Sequence, residues 1–217
     1  MKISGGKTED ETVVGNTYDK YGSRNPIVLR IMNGFSDALA EFVAKSEVRS
    51  IHEIGCGEGY WVQIWHKEGY DVRGSDFSSV VIDLARENAT EAGCPPTIFE
   101  QRSIYEVDPA EDSAELIVCC EVLEHLEDPE KALSSLQLVV QKHLIISVPH
   151  EPIWRVLNMA RGKYLSDWGN TPGHIQHWSR SGITELVAKY FDIEEVKTPF
   201  PWTMIFCSTK GGGEVSA

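Results

Sequence analysis

Hydrophobic residues along the chain fall into two kinds of pattern. Short continuous apolar runs at 115–120 and 143–148 predict strands that are buried on both faces, because such strands have no polar side. Elsewhere the apolar residues recur at helical spacing, as in 26–45, 129–140 and 179–190. The two patterns alternate along most of the chain, so strands and helices are expected in turn.

This alternation predicts a doubly wound α/β fold. Strands are expected at 50–54, 70–74, 97–101, 115–120, 143–148, 192–197 and 202–208. Strands joined through helices form a parallel sheet with helices on both faces. The short turn with Pro199 and Pro201 instead indicates an antiparallel C-terminal hairpin. We therefore expect a mostly parallel, seven-stranded sheet, with ligands at the carboxyl ends of its strands.

Length and composition fit one globular domain. The chain has 217 residues, of which 41% are hydrophobic, and this is enough for a sizeable core. A single domain is expected over 17–210, with a helical cap over 17–48. The polar ends of the chain, 1–16 and 211–217, are predicted to be flexible.

Charge and cysteine usage narrow the class of protein. A net charge of -13 without a basic run argues against nucleic-acid binding. No apolar stretch reaches the ~18 residues of a membrane span, and residues 1–16 lack the apolar core of a signal peptide, so a cytoplasmic protein is expected. Of the five cysteines, Cys119, Cys120 and Cys207 stand in apolar strand-like runs, which is typical of reduced, buried thiols. Monomer and homodimer both remain open.

A glycine-rich loop follows the first strand of the alternation. Gly55, Gly57 and Gly59 stand at alternate positions after Glu53, between a strand and a helix. Glycine allows a ligand to approach the backbone closely, and the GxGxG spacing differs from the GxGxxG of dinucleotide folds. Asp76 ends the next strand, where a carboxylate can accept hydrogen bonds from both ribose hydroxyls. The alternative for Asp76 is a cap on the following helix.

With the run 121–126, Glu-Val-Leu-Glu-His-Leu, this region resembles the class I S-adenosylmethionine-dependent methyltransferases. The similarity is greatest to the branch that includes the ubiquinone-biosynthesis O-methyltransferases and related small-molecule enzymes. It extends over 50–149 and is only architectural elsewhere, although the terminal hairpin is also typical of that Rossmann-like fold. The resemblance implies S-adenosylmethionine as cofactor, S-adenosylhomocysteine as product, and in-line methyl transfer to a small-molecule acceptor that the sequence does not identify.

The resemblance also assigns roles in the cofactor site. The loop Gly55-Cys56-Gly57, with Gly59, would pass close to the methionine part of the cofactor, and Glu53 would orient the loop and the cofactor amine. Asp76 would bind the ribose, and Phe77 would pack on the adenine.

Further positions complete the implied cofactor site. Ser103 and Ile104 correspond to the adenine edge, where many relatives have Asp in place of the serine. Cys120 and Glu121 would lie beside the methionine amine and the sulfonium. Relatives fold an N-terminal segment over the cofactor, and here Tyr21 could pack against it while Arg30 pairs with its carboxylate. The alternative is a plain capping helix.

Three polar side chains after the fourth expected strand, 115–120, would share one face of a helical turn. Glu121, Glu124 and His125 are spaced i, i+3 and i+4. The favoured interpretation is a polar cluster that shapes the loop. A divalent cation site is a second one, since some relatives with a similar run hold a catechol-like acceptor through a metal, but a metal is not expected here. His125 as general base is the third.

The long connection 150–178 predicts a lid or acceptor wall. It holds three tryptophans, Trp154, Trp168 and Trp178, and three histidines, His150, His174 and His177. Each histidine is a candidate general base for a hydroxyl or amine acceptor, or else a hydrogen-bonded structural residue. The local cations Arg155, Arg161 and Lys163 favour an anionic acceptor, or are ordinary surface charges.

Two other functions compete with methyl transfer. An NAD-dependent oxidoreductase would use the same fold, but the loop spacing and the lack of a second catalytic domain argue against it. A non-catalytic module that only binds S-adenosylmethionine or S-adenosylhomocysteine would keep Glu53, Gly55, Gly57 and Asp76. Turnover of an acceptor distinguishes an enzyme from such a module.

Overall fold

A computed structural model describes residues 1–9, 12–16, 19–160, 162, 167–171 and 173–211. The strands are β1 Thr8–Glu9, β2 Thr12–Val13, β3 Ser50–Ile54, β4 Asp71–Asp76, β5 Phe99–Gln101, β6 Ala114–Cys120, β7 Val140–Pro149, β8 Phe191–Lys197 and β9 Trp202–Thr209. The helices are α1 Pro26–Ser46, α2 Tyr60–Lys67, α3 Ser79–Ala92, α4 Pro109–Asp112, α5 Pro129–Val139, α6 Ile153–Ala160 and α7 Arg180–Ala188. Within this part of the chain no helix is long and apolar enough to cross a bilayer.

Seven strands form one sheet in the order β5-β4-β3-β6-β7-β9-β8. The first five are parallel, and β9 lies between β7 and β8, antiparallel to both. This confirms the predicted doubly wound sheet with its antiparallel C-terminal hairpin. The strand order reverses between β3 and β6, which opens a crevice at their carboxyl ends.

Both faces of the sheet are covered by helices. Alternate residues of β6 point to opposite faces: Leu116 and Val118 pack with α1, α2 and α3, while Ile117 and Cys119 pack with α5 and α7. All four side chains are fully buried. A strand covered on both faces has no polar side, which explains the continuous apolar run.

Element boundaries differ slightly from those expected. The strand expected from residue 97 begins at Phe99, because Pro96–Ile98 form a turn of 3₁₀ helix. Helix α1 continues through Gly34, although glycine favours a break there; Phe35, Leu39 and Phe42 are buried against the sheet and anchor it. Asp128, Ser78 and Ser179 cap the helices that follow them.

The N-terminal segment lies against the glycine-rich loop. Glu58, within that loop, is buried and accepts hydrogen bonds from the backbone N–H groups of Ser4 (3.0 Å) and Asn16 (2.8 Å). The Glu9 carboxylate accepts from the hydroxyls of Ser78 and Ser79 at the start of α3. The flexibility expected for 1–16 stays a prediction, and most of the expected flexible tail, 212–217, lies outside the described residues.

Glu58→Ala is expected to release this segment, because it removes the acceptor for two backbone donors. The amide hydrogens of Ser4 and Asn16 should then exchange about tenfold faster or more. Hydrogen exchange followed by mass spectrometry or NMR measures this, with the exposed Glu68→Ala as the matched control. Equally fast exchange of both amides in the unsubstituted protein would show that Glu58 does not hold the segment.

His52 makes folding sensitive to acid. The ring is buried between β3 and β4, where Nδ1 donates to the Asp112 carbonyl (2.8 Å) and Nε2 accepts from the Ser75 hydroxyl (2.9 Å). Burial lowers its pKa to about 4. The unfolded chain therefore binds more protons between pH 6.5 and 4, so this contribution to stability is complete above that window and is lost as the pH falls through it.

The free energy of unfolding should reflect this between pH 7 and pH 4.5. We expect the unsubstituted protein to lose about 2–3 kcal/mol more than His52→Gln over this interval, by urea titration of both proteins. An equal loss in the two proteins would contradict the assignment to His52.

Candidate active site

The glycine-rich loop is bound to the end of β4. The N–H groups of Gly55 and Cys56 both donate to the Ser75 carbonyl, at 2.7 and 2.9 Å. Gly55 has a φ of 82°, and a Cβ there would lie 2.2 Å from Cγ2 of Val122. Only glycine therefore fits where the loop passes the chain that follows β6.

The next two glycines of the loop have different surroundings. A Cβ at Gly59 would lie 2.5 Å from Cζ of Phe99, whereas no atom of the described residues lies within 4 Å of a Cβ at Gly57. Gly59 therefore serves packing, and Gly57 presents its backbone to open space. A ligand can approach the chain closely at Gly57.

Asp76 joins the loop to the start of α3. Its Oδ2 accepts from the Gly57 N–H and its Oδ1 from the Ser78 N–H, both at 3.1 Å. Burial raises its pKa to about 6. Each oxygen keeps further acceptor capacity, so the carboxylate can still receive ligand hydroxyls.

Phe77, Ser103 and Ile104 follow the ends of neighbouring strands. The Phe77 side chain is 47% exposed, which is unusual for a ring, and Ile104 is buried. The Gln101 side chain donates to the Phe77 carbonyl (3.0 Å) and joins the two strand ends. Ser103 Oγ accepts from the Tyr105 N–H and caps a short turn, so its hydroxyl already has a structural partner.

Glu53 lies buried at the end of β3. Its Oε2 has no hydrogen-bond partner among the described residues. Burial, aided by the charge of Asp76, raises its pKa well above the usual range, and the charge of Lys20 opposes this shift. A buried carboxyl oxygen without a partner, beside the open backbone of Gly57, suits a cationic ligand group.

The two N-terminal candidate residues differ in position: Tyr21 lies before α1 and close to Glu53, whereas Arg30 lies on α1. Tyr21 is stacked on Tyr60 with ring centroids 3.6 Å apart, and its pKa is raised by burial and by the charge of Glu53. Arg30 is exposed on α1 and makes no hydrogen bond or ion pair with the described residues. Sequence patterns gave no signal for Lys20, whose charge acts on Glu53, Glu121 and Glu124.

Glu121 directly follows β6 and the half-buried Cys120. Its Oε1 accepts from the Ser147 hydroxyl (3.0 Å) and its Oε2 from Nε1 of Trp202 (2.6 Å). Burial raises its pKa to about 7, while Lys20 and these two donors oppose the shift. The carboxylate is thus held between β7 and β9.

The connection 150–178 supplies a histidine to the polar cluster after β6. Glu124, His125 and His174 have donor atoms within 4.8 Å of one another, a set that could hold a divalent cation. Both Glu124 oxygens are buried and have no hydrogen-bond partner among the described residues, and burial raises the Glu124 pKa well above the usual range. The sequence grouped Glu121 with Glu124 and His125, but Ser147 and Trp202 hold the Glu121 carboxylate.

The connection 150–178 covers this cluster. The N–H groups of Ile175 and Gln176 donate to the Glu124 carbonyl (2.9 and 3.0 Å), and His125 Nδ1 donates to the Gly173 carbonyl (2.9 Å). Trp154 on α6 packs against Trp202, with ring centroids 5.7 Å apart. These contacts hold the connection 150–178 against the turn after β6.

The other histidines and tryptophans of the connection 150–178 are more exposed to solvent than His174. His150 is half-buried at the end of β7, and His177 is exposed, with Nε2 3.2 Å from an Arg155 nitrogen and 2.7 Å from the Asn170 side chain. Trp168 is 77% exposed, and Trp178 is half-buried. Arg161 and Lys163 lie outside the described residues.

A family model described as a methyltransferase domain matches residues 29–192, which is more than half of the chain. The chain belongs to the S-adenosylmethionine-dependent methyltransferase family. It is 28% identical to the ubiquinone biosynthesis O-methyltransferase of Cupriavidus pinatubonensis over 176 residues, which are 75% of this chain and 68% of that protein. It is 27% identical to the Photorhabdus laumondii protein of the same name over 93 residues, 43% of this chain, and spans 39% of that relative.

Solved structures of the family share the fold. The magnesium protoporphyrin IX methyltransferase of Synechocystis with bound S-adenosylhomocysteine matches with a TM-score of 0.67 at 18% identity, covering 89% of this chain and 94% of that one. The family and the cofactor expected from the sequence are thereby confirmed. These comparisons give no support to an oxidoreductase or to a non-catalytic module.

Proposed function

We propose that this methyltransferase transfers a methyl group from S-adenosylmethionine to a small-molecule acceptor. The observation that carries the proposal is the juxtaposition of the unpartnered Glu53 oxygen, the open backbone at Gly57 and the Asp76 carboxylate. Together they form an acidic cradle at the carboxyl ends of β3 and β4. The cofactor carries a cationic amine and sulfonium beside a ribose, and it fits such a cradle.

Each carboxylate has a separate task in the proposed complex. Glu53 receives the methionine amine, and its buried oxygen then gains the partner it lacks. Asp76 receives the ribose hydroxyls, and the exposed ring of Phe77 covers the adenine with Ile104 beneath it. The Ser103 hydroxyl caps a turn with one lone pair and keeps its proton and second lone pair for the adenine edge.

The acceptor is placed on the other side of the crevice. When bound, S-adenosylmethionine supplies a methyl group on a positively charged sulfur. The chain aligns the acceptor with that methyl through a wall formed by the half-buried ring of Trp154, which the buried rings of Trp202 and Phe35 support from behind, with successive ring centroids 5.7 and 5.0 Å apart. Alignment of donor and acceptor accounts for much of the rate in such a transfer.

An anionic acceptor is supported by two cations, Arg155 and Lys20. Arg155 on α6 has a buried Nε without a hydrogen-bond partner in the described part of the chain. Lys20 acts on the carboxyl groups of the crevice from the N-terminal side. An acceptor carboxylate or phosphate would give the Arg155 Nε a partner. The protein's own net charge of -13 disfavours nucleic acid as acceptor.

A cytoplasmic location is part of the proposal. All five cysteines are free, and four of them are buried. Reduced thiols that do not pair are typical of a reducing compartment.

The proposal is tested by product release. The purified protein is incubated with S-adenosylmethionine and, in parallel, with a small-molecule cell extract, total RNA or denatured protein, and S-adenosylhomocysteine is quantified. We expect release with the small-molecule extract only. Release with RNA or protein alone, or with no extract at all, would contradict a small-molecule acceptor.

A further inference from the structure

The described part of the N-terminal segment, 1–16, contacts the two stretches of chain that Asp76 joins. The Asp76 carboxylate accepts hydrogen bonds from the N–H groups of Gly57 and Ser78. The N-terminal segment binds beside the first of these donors, at Glu58, and directly at the second, through the Ser78 hydroxyl. It therefore bridges the same gap as the Asp76 side chain does, between the glycine-rich loop and the start of α3.

The contact with the loop is enclosed. The buried Glu58 carboxylate accepts from the Ser4 N–H (3.0 Å), the Asn16 N–H (2.8 Å) and the Asn16 side-chain amide. Ser4 and Val14 are also buried, and the Ser4 hydroxyl donates to the Val14 carbonyl (2.6 Å). Exposure of a buried carboxylate with three donors is costly, so this end of the bridge stays closed.

The first residues of the chain are held on the same side of the gap. The side chain of Asn88, on α3, accepts from the Lys2 N–H (2.8 Å) and donates to the Lys2 carbonyl (3.0 Å). The same amide donates to the Glu58 carbonyl (3.2 Å), which joins these residues to the glycine-rich loop. The segment is thus attached twice on the side of the loop.

The contact with the start of α3 is more open. Glu9 on β1 is only half-buried, and its carboxylate accepts from the hydroxyls of Ser78 and Ser79. These hydroxyls lower the Glu9 pKa, and the N-terminal end of a helix also favours a negative charge. Water can replace both donors, so this contact opens at a lower cost than the contact of Glu58.

We propose that the N-terminal segment is a gate at the ribose end of the cofactor site, which remains attached at Glu58 and opens at Glu9. This rests on the proposed function, in which Asp76 receives the ribose hydroxyls. S-adenosylmethionine enters and S-adenosylhomocysteine leaves only while the contact of Glu9 with Ser78 and Ser79 is open. The contact involves no ligand atom, so it closes equally well with and without the cofactor and slows entry and exit by the same factor.

Stopped-flow binding kinetics with S-adenosylhomocysteine test the gate. Tryptophan fluorescence follows binding, because Trp61 and Trp65 lie on α2, which begins directly after the glycine-rich loop. We expect Glu9→Ala to raise the association and dissociation rate constants about tenfold each. The Kd, which is their ratio, should change by less than about threefold.

Two further variants complete the test. Ser79→Ala removes one of the two hydroxyl donors and leaves the Ser78 cap of α3 intact, so it should raise both rate constants about threefold even if Glu9→Ala does not fold. Glu185→Gln, at an exposed position of α7, should change neither.

Contrary outcomes separate the gate from the proposed function. A gate changes both rate constants together, whereas a segment that merely supports bound cofactor would change the dissociation rate constant alone. A change in only one of the two rate constants, or in neither, would overturn the gate. Failure of the unsubstituted protein to bind S-adenosylhomocysteine would instead contradict the proposed function itself.

Discussion

Replacing Asp76 by alanine is expected to weaken the affinity for S-adenosylhomocysteine by about a hundredfold. The carboxylate orders the loop through the Gly57 N–H and the start of α3 through the Ser78 N–H. In the proposed complex it also receives two ribose hydroxyls. Hydrogen bonds to a charged group contribute about 1.5–3 kcal/mol each, so the loss of two accounts for an effect of this size.

Isothermal titration calorimetry at pH 7.5 measures the effect. Asp83→Ala is the matched control, because that carboxylate lies on the exposed side of α3. His150→Ala, at the end of β7 near the acceptor side, should cost much less affinity than Asp76→Ala. Equal or reversed losses for these two variants would contradict the position assigned to the cofactor.

Gly59→Ala is expected to destabilise the protein by about 3 kcal/mol or more. Its φ is 82°, and the added methyl would lie 2.5 Å from the buried ring of Phe99. Left-handed strain and overpacking therefore add at one position. Urea unfolding of the two proteins at pH 7.5 gives the difference directly.

Gly57→Ala is the matched variant, for which we expect a small loss of stability and a large loss of cofactor affinity. Its φ is 53° and no atom in the described part of the chain lies within 4 Å of the added methyl, so the free energy of unfolding should fall by only about 1 kcal/mol. The methyl projects into the space proposed for the cofactor, so affinity for S-adenosylhomocysteine should fall about tenfold or more. Equal unfolding losses in the two variants would contradict the separate roles of these glycines.

The fold was predictable because the apolar runs and helix caps that indicate it are local in the sequence. Strands β6 and β7 are covered on both faces, so they read as continuous apolar runs. Helices α3, α5 and α7 begin at side chains that cap them, Ser78, Asp128 and Ser179. Strand β5 begins two residues later than expected because a proline-started turn directly precedes it, and β7 begins three residues earlier than expected, directly after α5.

The site was only partly predictable because some of its contacts join distant segments. The loop glycines and Asp76 lie at strand ends, where the pattern of the sheet places them. His174 meets Glu124 and His125 only because the insert folds back over the turn after β6. The contacts of Glu58 with Ser4 and Asn16 likewise arise from tertiary packing, and no local periodicity encodes them.

Calorimetric titration with S-adenosylmethionine, S-adenosylhomocysteine and NAD in parallel tests the account most directly. The acidic cradle of Glu53 and Asp76 around an open Gly57 predicts binding of the first two at about micromolar concentration and none of NAD. Binding of NAD alone, or of none of the three, would contradict the cofactor site described here.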